Sequence, residues 1–426
     1  MADDPVTEVK AWLEENWDPD LTVREWWERL GTSGWAAPTW PVEWYGKGLS
    51  NAENNQVQRT ITEFGALGPP GGLGMLLAGP TIATHGTDEQ KAHYLADIVT
   101  GRVGWCQLFS EPVAGSDLAG LQTRAIKDGD EWVVNGQKVW TSSAHVADIG
   151  MLMARTNTDV PKHKGITYFA IDMHQEGMDV RPLRELTGRA LFNEVFMTDV
   201  RVADDAIIGG RENGWAVANT TLAFERAGLG AGGGNAAESA ALPGTIPGHL
   251  DRRAGDFVRP KGSKGSGSAT FSVTAQTLID AARRHDKLGD PVVRQGIARM
   301  YIEGELGRYM SLRHRALRMA GQDLPGMGNL AKLRMSEMFR QSRDVGLAIL
   351  GARGMLHSYD DGPLPGVEDD GVDRAVTAVA MWSPGPSIYG GTDQVQRNIL
   401  GERILGLPRE PGDDRNTPFK DLRKNA

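Results

Sequence analysis

Two short stretches combine turn-forming residues, hydroxyl groups and one aromatic side chain. Residues 110–117 read SEPVAGSD, and residues 138–142 read KVWTS. Glycine lets a loop backbone approach a ligand closely, so that its N–H groups can donate hydrogen bonds. Trp140, followed by two hydroxyl residues, would give a flat aromatic wall beside hydrogen-bond donors, which suits a flat heteroaromatic ligand. An ordinary β-hairpin with a Gly- and Ser-containing loop has the same pattern, and the residues alone leave both interpretations open.

A second candidate is one carboxylate, Glu225, which lies in the apolar helical sequence LAFER. Leu222 and Phe224 beside it would remove part of its water, and desolvation raises the pKa of a carboxyl group toward that of a useful general base. A salt bridge with a neighbouring basic side chain would explain the same glutamate without any chemistry. Periodicity alone favours the salt bridge.

The motifs SEPVAGSDLAG (residues 110–120) and NGQKVWTSS (residues 135–143) resemble the flavin-binding middle domain of the acyl-CoA dehydrogenase family. Residues 79–101, GPTIATHGTDEQKAHYLADIVTG, are similar to the end of the family's N-terminal helical domain. The resemblance implies an α+β multidomain fold, with a helical domain at 1–102, a middle β-barrel domain at 103–205 and a C-terminal four-helix bundle at 206–426. It also implies FAD as the cofactor and α,β-dehydrogenation of an acyl-CoA thioester as the reaction.

The resemblance also assigns Glu225 as the catalytic base, which removes the substrate α-proton while hydride leaves the β-carbon for flavin N5. Most members carry this base in a Tyr-Glu-Gly-Thr motif near the C-terminus, where this chain has Tyr389-Gly390-Gly391-Thr392. A minority carry it on the first bundle helix, immediately before an arginine, and Glu225-Arg226 matches that arrangement. The glutamate missing from one position is therefore present at the other.

The same resemblance implies a set of neutral FAD-binding residues in three parts of the chain. They are Gln107, Phe109 and Ser110 along the flavin ring, Ser116 at the pyrophosphate, Trp140 and Ser142 over the ring and near N5, and Thr392 and Gln394 near the C-terminus. The predicted substrate-binding residues are Ser116 and Arg226. Capping of turns is the alternative role for Ser110 and Ser116. The histidines have no metal-ligand spacing, so no metal site is predicted.

Two motifs depart from the family pattern. Residues 285–289, HDKLG, replace an Arg-x-x-Phe-Gly segment, and residues 348–354, AILGARG, replace Gln-x-x-Gly-Gly-x-Gly. Both family motifs reach FAD across a subunit interface, so the chain is expected in a homo- or hetero-oligomer, such as a dimer of dimers. Two alternatives remain: a non-catalytic subunit that completes a neighbour's site, or a flavin oxidase or monooxygenase on the same fold. The expected electron acceptor is an electron-transferring flavoprotein, and the expected acyl group is bulky or branched, such as a steroid side chain.

Composition agrees with a cytoplasmic globular protein. The chain has 426 residues, enough for two or three domains, and its formal charge of −9 is unsuited to nucleic acid. The one cysteine, Cys106, allows no internal disulfide and suits a reducing compartment. The acidic N-terminus has no apolar run, and the longest apolar stretch, residues 71–83, is interrupted by Gly and Pro. Neither a signal peptide nor a membrane span is predicted.

Periodicity divides the chain into helices, strands and helices again. The predicted helices are 6–16, 22–30, 53–67 and 88–100, then 214–230, 291–319, 330–350 and 393–404. Thr22 is the predicted N-cap of the second helix, and Thr87 or Asp88 that of the fourth. The predicted strands are 131–140, 150–155, 166–172, 178–181 and 194–202, with turns at Asp128-Gly129-Asp130 and Asn135-Gly136. Clustered early tryptophans, such as Trp26 and Trp27, are expected to pack between helices.

A Gly/Pro/Ser-rich segment, residues 232–276, is too long for a bundle loop and is predicted to be an insertion. A surface excursion is favoured over a functional lid. The sequence GLGAGG at residues 228–233 matches the glycine spacing of a dinucleotide-binding fingerprint. It follows a helix rather than a strand, so this interpretation is rejected.

Overall fold

Short polar residues begin the N-terminal helices, as the sequence predicts. The computed structural model describes residues 4–230, 248–258, 273–322, 324–357, 371–409, 411–412, 414 and 416–422. Its first helices are α1 (Pro5–Asn16), α2 (Val23–Thr32), α3 (Asn51–Phe64), α4 (Gly79–His85) and α5 (Asp88–Val99). Thr22 and Thr87 cap α2 and α5 in reciprocal capping boxes, which confirms Thr22 and decides for Thr87 over Asp88. Ser50 caps α3, so this helix begins and ends earlier than predicted.

Tryptophans form the centre of this helical region, as predicted. Trp26 and Trp27 are completely buried. Their indole N–H groups donate to the carbonyl oxygens of Leu67 at 2.7 Å and Gly68 at 2.9 Å, which satisfies the polar end of each buried ring. The edge of Trp17 meets Trp26 with 4.6 Å between ring centroids. Apolar burial and paired indole groups together hold α2 against the chain after α3.

The middle of the chain forms a sheet of seven described strands. They are β1 (Trp105–Leu108), β2 (Arg124–Asp128), β3 (Glu131–Ser142), β4 (Ile149–Arg155), β5 (Ile166–Asp172), β6 (Met178–Leu183) and β7 (Phe192–Ala203). The order is β1-β4-β2-β3-β7-β6, with β5 paired to β4. The tight turn predicted around Gly129 joins β2 to β3, since Asp128 pairs with Glu131. A second apolar core lies on this sheet.

The turn predicted at Asn135-Gly136 is wrong. Both residues lie inside β3, where Asn135 pairs with Arg124 and Gly136 pairs with Met197 of β7. The register shifts between Val134 and Gly136, which marks a β-bulge. A Cβ atom on Gly136 would lie 2.4 Å from the Thr123 hydroxyl oxygen. The glycine therefore permits close approach of the Thr123 segment inside a long strand.

The last helix of the first compact unit is α6 (Gly214–Gly230), which packs on β5, α4 and the π-helical turn Gly74–Ala78. This unit comprises Met1–Leu183, Ala190–Lys264 and Gly412–Ala426. Gly214 lies against β5 so closely that a Cβ atom would be 2.7 Å from the carbonyl carbon of Thr167. The close contact fixes the start of α6 on the sheet.

The second compact unit comprises Arg184–Arg189 and Gly265–Pro411. Its helices in the described residues are α7 (Ala275–Arg284), α8 (Pro291–Met319), α9 (Met327–Leu350), α10 (Gly371–Trp382) and α11 (Asp393–Ile399). α7 and α10 are not among the predicted helices, and α11 gives way to a π-helical turn at Leu400–Ile404. The order of helices, sheet and helices is confirmed, while the exact domain boundaries stay predictions. No helix in the described residues is both long and apolar enough to cross a membrane.

Part of the predicted insertion packs against the N-terminal helices. Arg252 accepts a backbone hydrogen bond from Val23 at 2.8 Å, and Ala254 donates one to Leu21 at 2.7 Å. Asp251 forms an ion pair with Arg24 at 3.0 Å. Residues 248–258 are therefore anchored on the start of α2. The predicted insertion also ends too late, because α7 already begins at Ala275, and residues 232–247 and 259–272 lie outside the described residues.

Candidate functional site

The predicted flavin-ring segment lies beside β3. Gln107 is on β1, and the Ser110 carbonyl oxygen accepts a hydrogen bond from the Val139 N–H at 2.9 Å. Phe109 is buried, and its ring meets Tyr168 of β5 edge-on with 5.8 Å between centroids. The structure thus brings Gln107, Phe109 and Ser110 next to the strand that carries Trp140 and Ser142. It gives no side-chain hydrogen bond to Ser110 or to the exposed Ser116 within the described residues, so neither serine caps a turn there.

Trp140 is turned outward by the backbone of β3. The register of β3 on β7 shifts between Lys138 and Thr141, and Trp140 has φ of 60° in the left-handed region. Such a conformation costs a bulky residue on the order of 1–3 kcal/mol and is concentrated at functional sites. Trp140 is 59% exposed, and its ring meets the edge of Phe192 with 5.9 Å between centroids. A large aromatic face is therefore presented to solvent at a strained position.

A cavity of about 220 Å³ lies next to Ser142. Its lining is mostly apolar and consists of residues 71–75, Ile98, residues 103–105, Ser142, Ser143, Val146 and Ala147. Trp105, one of the lining residues, has a buried indole N–H with no hydrogen-bond partner in the described residues. A Cβ atom on Gly74 would lie 3.1 Å from Cδ1 of Trp105, so a larger residue there would crowd this wall. Trp140 is not one of the lining residues, so its exposed indole and this apolar cavity are two separate features near Ser142.

Buried hydroxyl groups join α6, the helix that carries Glu225, to α4 and β5. Thr221 lies one turn before Glu225 on α6, and its Oγ1 is 3.0 Å from Oγ1 of Thr81 and 3.3 Å from the Tyr168 hydroxyl. Tyr168 is also the residue that contacts Phe109. Burial raises the pKa of Tyr168, so it stays protonated and can donate. One buried tyrosine thus contacts both the base helix and the predicted flavin segment.

Glu225 itself is half-buried on α6. Leu222 and Phe224 pack against the apolar core of the first unit, as expected for a partly desolvated carboxylate. On the adjacent turn, Oγ1 of Thr220 is 2.8 Å from Nε2 of His85, and burial lowers the pKa of that histidine. The Arg226 side chain lies outside the described residues. The roles of Glu225 and Arg226 stay predictions.

Thr392 and Gln394, the C-terminal residues predicted to contact FAD, lie in the second unit. Thr392 is the N-cap of α11 and accepts a hydrogen bond from the Val395 N–H at 3.2 Å, while Gln394 is exposed. Gly390 and Gly391 have φ of 62° and 80°. These angles favour glycine, because a Cβ atom in the left-handed region costs about 1–2 kcal/mol. The position where most family members carry glutamate therefore has a backbone suited to glycine in this chain.

The replaced interface motifs have structural partners of their own. His285, in the HDKLG segment, lies with Nε2 2.9 Å from Oδ1 of the buried Asp373 on α10. Arg353, in the AILGARG segment, is 4.0 Å from the other oxygen of Asp373. The two departing motifs thus meet at one buried carboxylate. Within the described residues, no group of three or more His, Cys, Asp or Glu side chains could hold a metal ion.

Sequence reasoning missed a buried ion pair between Lys138 and Glu111, although both residues lie in the quoted motifs. Their side chains are 0% and 4% exposed. Lysine and glutamate are almost never fully buried unless they are paired, and a sequence pattern does not reveal such pairing. The only sequence signal was their position beside Ser110 and Trp140.

Comparison with known proteins decides the family. Models of the acyl-CoA dehydrogenase N-terminal, middle and C-terminal domains match residues 2–102, 106–200 and 268–405. Acyl-CoA dehydrogenase IpdE1 of Mycobacterium tuberculosis is 33% identical over 387 residues, which covers 91% of this chain and 88% of that relative. The chain belongs to the acyl-CoA dehydrogenase family.

Solved structures agree with this acyl-CoA dehydrogenase assignment. The Tcur3481-Tcur3483 steroid ACAD is 26% identical with a TM-score of 0.67, over 95% of this chain and 97% of that one. The ChsE4-ChsE5 complex from Mycobacterium tuberculosis is 25% identical with a TM-score of 0.62, again over 95% and 97%. The enzyme is therefore an FAD-dependent oxidoreductase that dehydrogenates an acyl-CoA thioester, and FAD, when bound, supplies the hydride acceptor. The exposed indole of Trp140 on β3 fits the flat ring system of this cofactor.

Proposed function

We propose that Glu225 is the base of this acyl-CoA dehydrogenase and that it removes the substrate α-proton from the end of α6. The observation that carries the proposal is the contact between Thr221 and Tyr168, 3.3 Å, because Tyr168 also packs on Phe109. Base and flavin must face each other across the reacting bond, so the base helix needs a fixed relation to the flavin segment. Glu225 is half-buried, and its neighbours Leu222 and Phe224 pack against the apolar core of the first unit, which limits the access of water to this part of α6.

The binding residues are proposed as a set that follows the family motifs. Gln107, Phe109, Ser110, Trp140 and Ser142 would surround the flavin ring, and Ser116 would contact the pyrophosphate. Thr392 and Gln394 are proposed as the C-terminal contacts to FAD. Ser116 and Arg226 would also contact the substrate. Outward presentation of Trp140 supports the ring wall, because an exposed indole gains most from stacking on a ligand.

For the substrate, we propose an acyl-CoA with a bulky, polycyclic acyl group. The similar Tcur3481-Tcur3483 protein is named a steroid ACAD, and the relocated base and replaced motifs agree with an unusual acyl group. The apolar cavity beside Ser142 would receive part of that group. Electron-transferring flavoprotein is the proposed acceptor, and the single cysteine supports a cytoplasmic location.

An oligomer, homomeric or with a second dehydrogenase-like chain, is also proposed. The similar ChsE4-ChsE5 structure is a complex of two named chains. In addition, α8 exposes apolar side chains at helical spacing, namely Tyr301, Ile302, Leu306, Tyr309 and Leu312, each at least 49% exposed. A contiguous apolar face of this kind is typical of an interaction surface.

The test of the proposed base is Glu225→Gln, which keeps the shape of the side chain and removes its basicity. Turnover of the acyl-CoA that the wild-type enzyme uses best should fall by about 10³-fold or more, while FAD stays bound. Glu63→Gln on α3, an exposed glutamate, is the matched control and should keep wild-type turnover. Glu225→Gln activity within about tenfold of wild type would contradict the assignment.

A further inference from the structure

A buried lysine ties the predicted flavin segment to β3. Nζ of Lys138 donates hydrogen bonds to the Phe109 carbonyl oxygen at 3.0 Å and to Oε1 of Glu111 at 2.8 Å. The Glu111 carboxylate in turn accepts hydrogen bonds from the N–H groups of Gln122 at 2.6 Å and Thr123 at 2.9 Å. One ion pair therefore holds both ends of the loop that contains Ser116.

Lys138 and Glu111 each influence the pKa of the other. Burial alone would raise the pKa of Glu111, but Lys138 and the hydrogen bonds from Thr123 and Gln122 outweigh it and hold that pKa below its usual value. Burial lowers the pKa of Lys138, and the charge of Glu111 opposes this shift. A single buried charge would be strongly destabilising, so each partner depends on the other.

Stability alone does not explain why a charged pair occupies this position. Well-packed apolar residues of similar volume often stabilise a protein as much as a buried ion pair or more. What an apolar pair could not do is hold a specific backbone carbonyl, because it has no donors. Here the donor reaches the carbonyl of Phe109, the residue immediately before Ser110. The contact is therefore directed at the backbone of the cofactor segment.

The location of Lys138 on β3 explains what such a contact would fix. Lys138 pairs with Val195 of β7, but the next regular pair is Thr141 with Asn193, so the ladder is interrupted at Trp140. In this interval, β3 is held to the flavin segment by the Val139–Ser110 backbone bond and by the Lys138 side chain. Where pairing with β7 is interrupted, the spacing between Phe109–Ser110 and Trp140 is therefore set by the Val139–Ser110 bond together with the Lys138 side chain.

We propose that Lys138 and Glu111 are positioning residues for FAD, which hold the Phe109–Ser110 backbone and the Trp140–Ser142 wall at the separation that the flavin ring requires. The proposal rests on the FAD-binding roles proposed above for those residues. Neither member of the pair needs to touch the substrate. Loss of the pair should loosen and reorient the bound flavin in a protein that remains folded.

The experiment compares Lys138→Met with Lys127→Met in the full chain. Lys127 lies on the adjacent strand β2 and also pairs with a carboxylate, Asp204 at 2.9 Å, but away from the flavin segment. Apoprotein is titrated with FAD, its thermal unfolding is recorded, and the visible spectrum and reduction potential of bound flavin are measured. Lys138→Met should raise the FAD dissociation constant by about tenfold or more and shift the flavin spectrum and potential, whereas Lys127→Met should leave them unchanged.

A folded Lys138→Met variant with wild-type FAD affinity, spectrum and potential would overturn the proposal. If Lys138→Met does not fold, Glu111→Gln decides, because it keeps the side-chain shape and should weaken FAD binding in the same direction. Failure of both variants to fold would also overturn it, since the pair would then be an element of stability. None of these results bears on the Glu225→Gln test, which uses turnover of a chain with intact Lys138 and Glu111. The positioning proposal and the base proposal can therefore be contradicted independently.

Discussion

Two places in this enzyme could carry a catalytic carboxylate, the end of α6 and the loop at residues 389–392, and their backbones differ. Glu225 lies on a regular helix whose preceding turn is joined through Thr221 to Thr81 and Tyr168. In the loop, Gly390 and Gly391 both have positive φ, and Gln396 donates to the Gly390 carbonyl oxygen at 2.8 Å. The comparison shows that a glutamate at residue 225 and a glutamate at residue 390 would stand on different backbone conformations, one helical and one left-handed. The helical backbone at Glu225 accepts any side chain, whereas the positive φ of Gly390 favours glycine.

The largest expected effect comes from returning the glutamate to the loop. Because Gly390 is in the left-handed region, a glutamate there would be strained, so the double variant Glu225→Gln/Gly390→Glu should not recover activity. Its turnover should remain about 10³-fold below wild type, as for Glu225→Gln alone. Steady-state turnover of the three proteins, with bound FAD quantified from absorbance, makes the comparison. Recovery to within about tenfold of wild type would mean that both backbones accept the base.

An intermediate effect is expected from Thr221→Val, which keeps the size of the side chain and removes its hydroxyl. Thr81 and Tyr168 would each lose a buried hydrogen-bond partner. α6 would then lose its hydrogen bond to Tyr168, the residue that packs on Phe109. We expect turnover to fall by about tenfold to 10²-fold with FAD still bound. Thr60→Val on α3 is the control. Like Thr221, which donates to the Val217 carbonyl oxygen at 3.2 Å, Thr60 donates to a carbonyl oxygen one turn earlier, that of Gln56 at 2.9 Å, but it is only half-buried. Equal turnover in the two variants would show that the Thr221–Tyr168 contact is not needed for catalysis.

The smallest expected effect is on stability and comes from a substitution in the loop at residues 389–392. Gly390→Ala should destabilise the second unit by about 1 kcal/mol, because alanine disfavours φ of 62°. Gly289→Ala has open space at its Cβ and no positive φ, so it should be neutral or slightly stabilising. Urea unfolding of both variants measures the difference. Equal midpoints would show that this loop does not require glycine.

Local features of this chain could be predicted from the sequence, and features that depend on distant pairing could not. Thr22 and Thr87 were predictable caps because a capping box involves residues only three positions apart. Asn135-Gly136 carries a strong local turn signal, yet pairing of β3 with β2 and β7 overrides it. Residues 248–258 read as part of a surface excursion, but their contacts with α2 come from a segment far away in sequence.

The same division applies to the candidate site. The predicted flavin residues and Glu225 could be named from motifs, and their roles stay predictions. The structure shows that the segment with Phe109 and Ser110 contacts β3 and Tyr168. Tyr168, which joins the two halves, reads only as one aromatic in an apolar strand. Lys138 and Glu111 read as ordinary charged residues, because the sequence gives no sign that both are buried and face each other. Long-range packing, which no local pattern encodes, supplies these three.

The most direct test of Glu225 as the base isolates the chemical step. Wild-type enzyme and Glu225→Gln, both loaded with FAD, are mixed without oxygen with the acyl-CoA that bleaches the wild-type flavin fastest in a panel. The rate of flavin bleaching is then followed in a single turnover. We predict a rate about 10³-fold or more below wild type at saturating acyl-CoA, with an unchanged flavin spectrum before mixing. Bleaching at a rate within about tenfold of wild type would contradict the account, and the base would have to lie elsewhere.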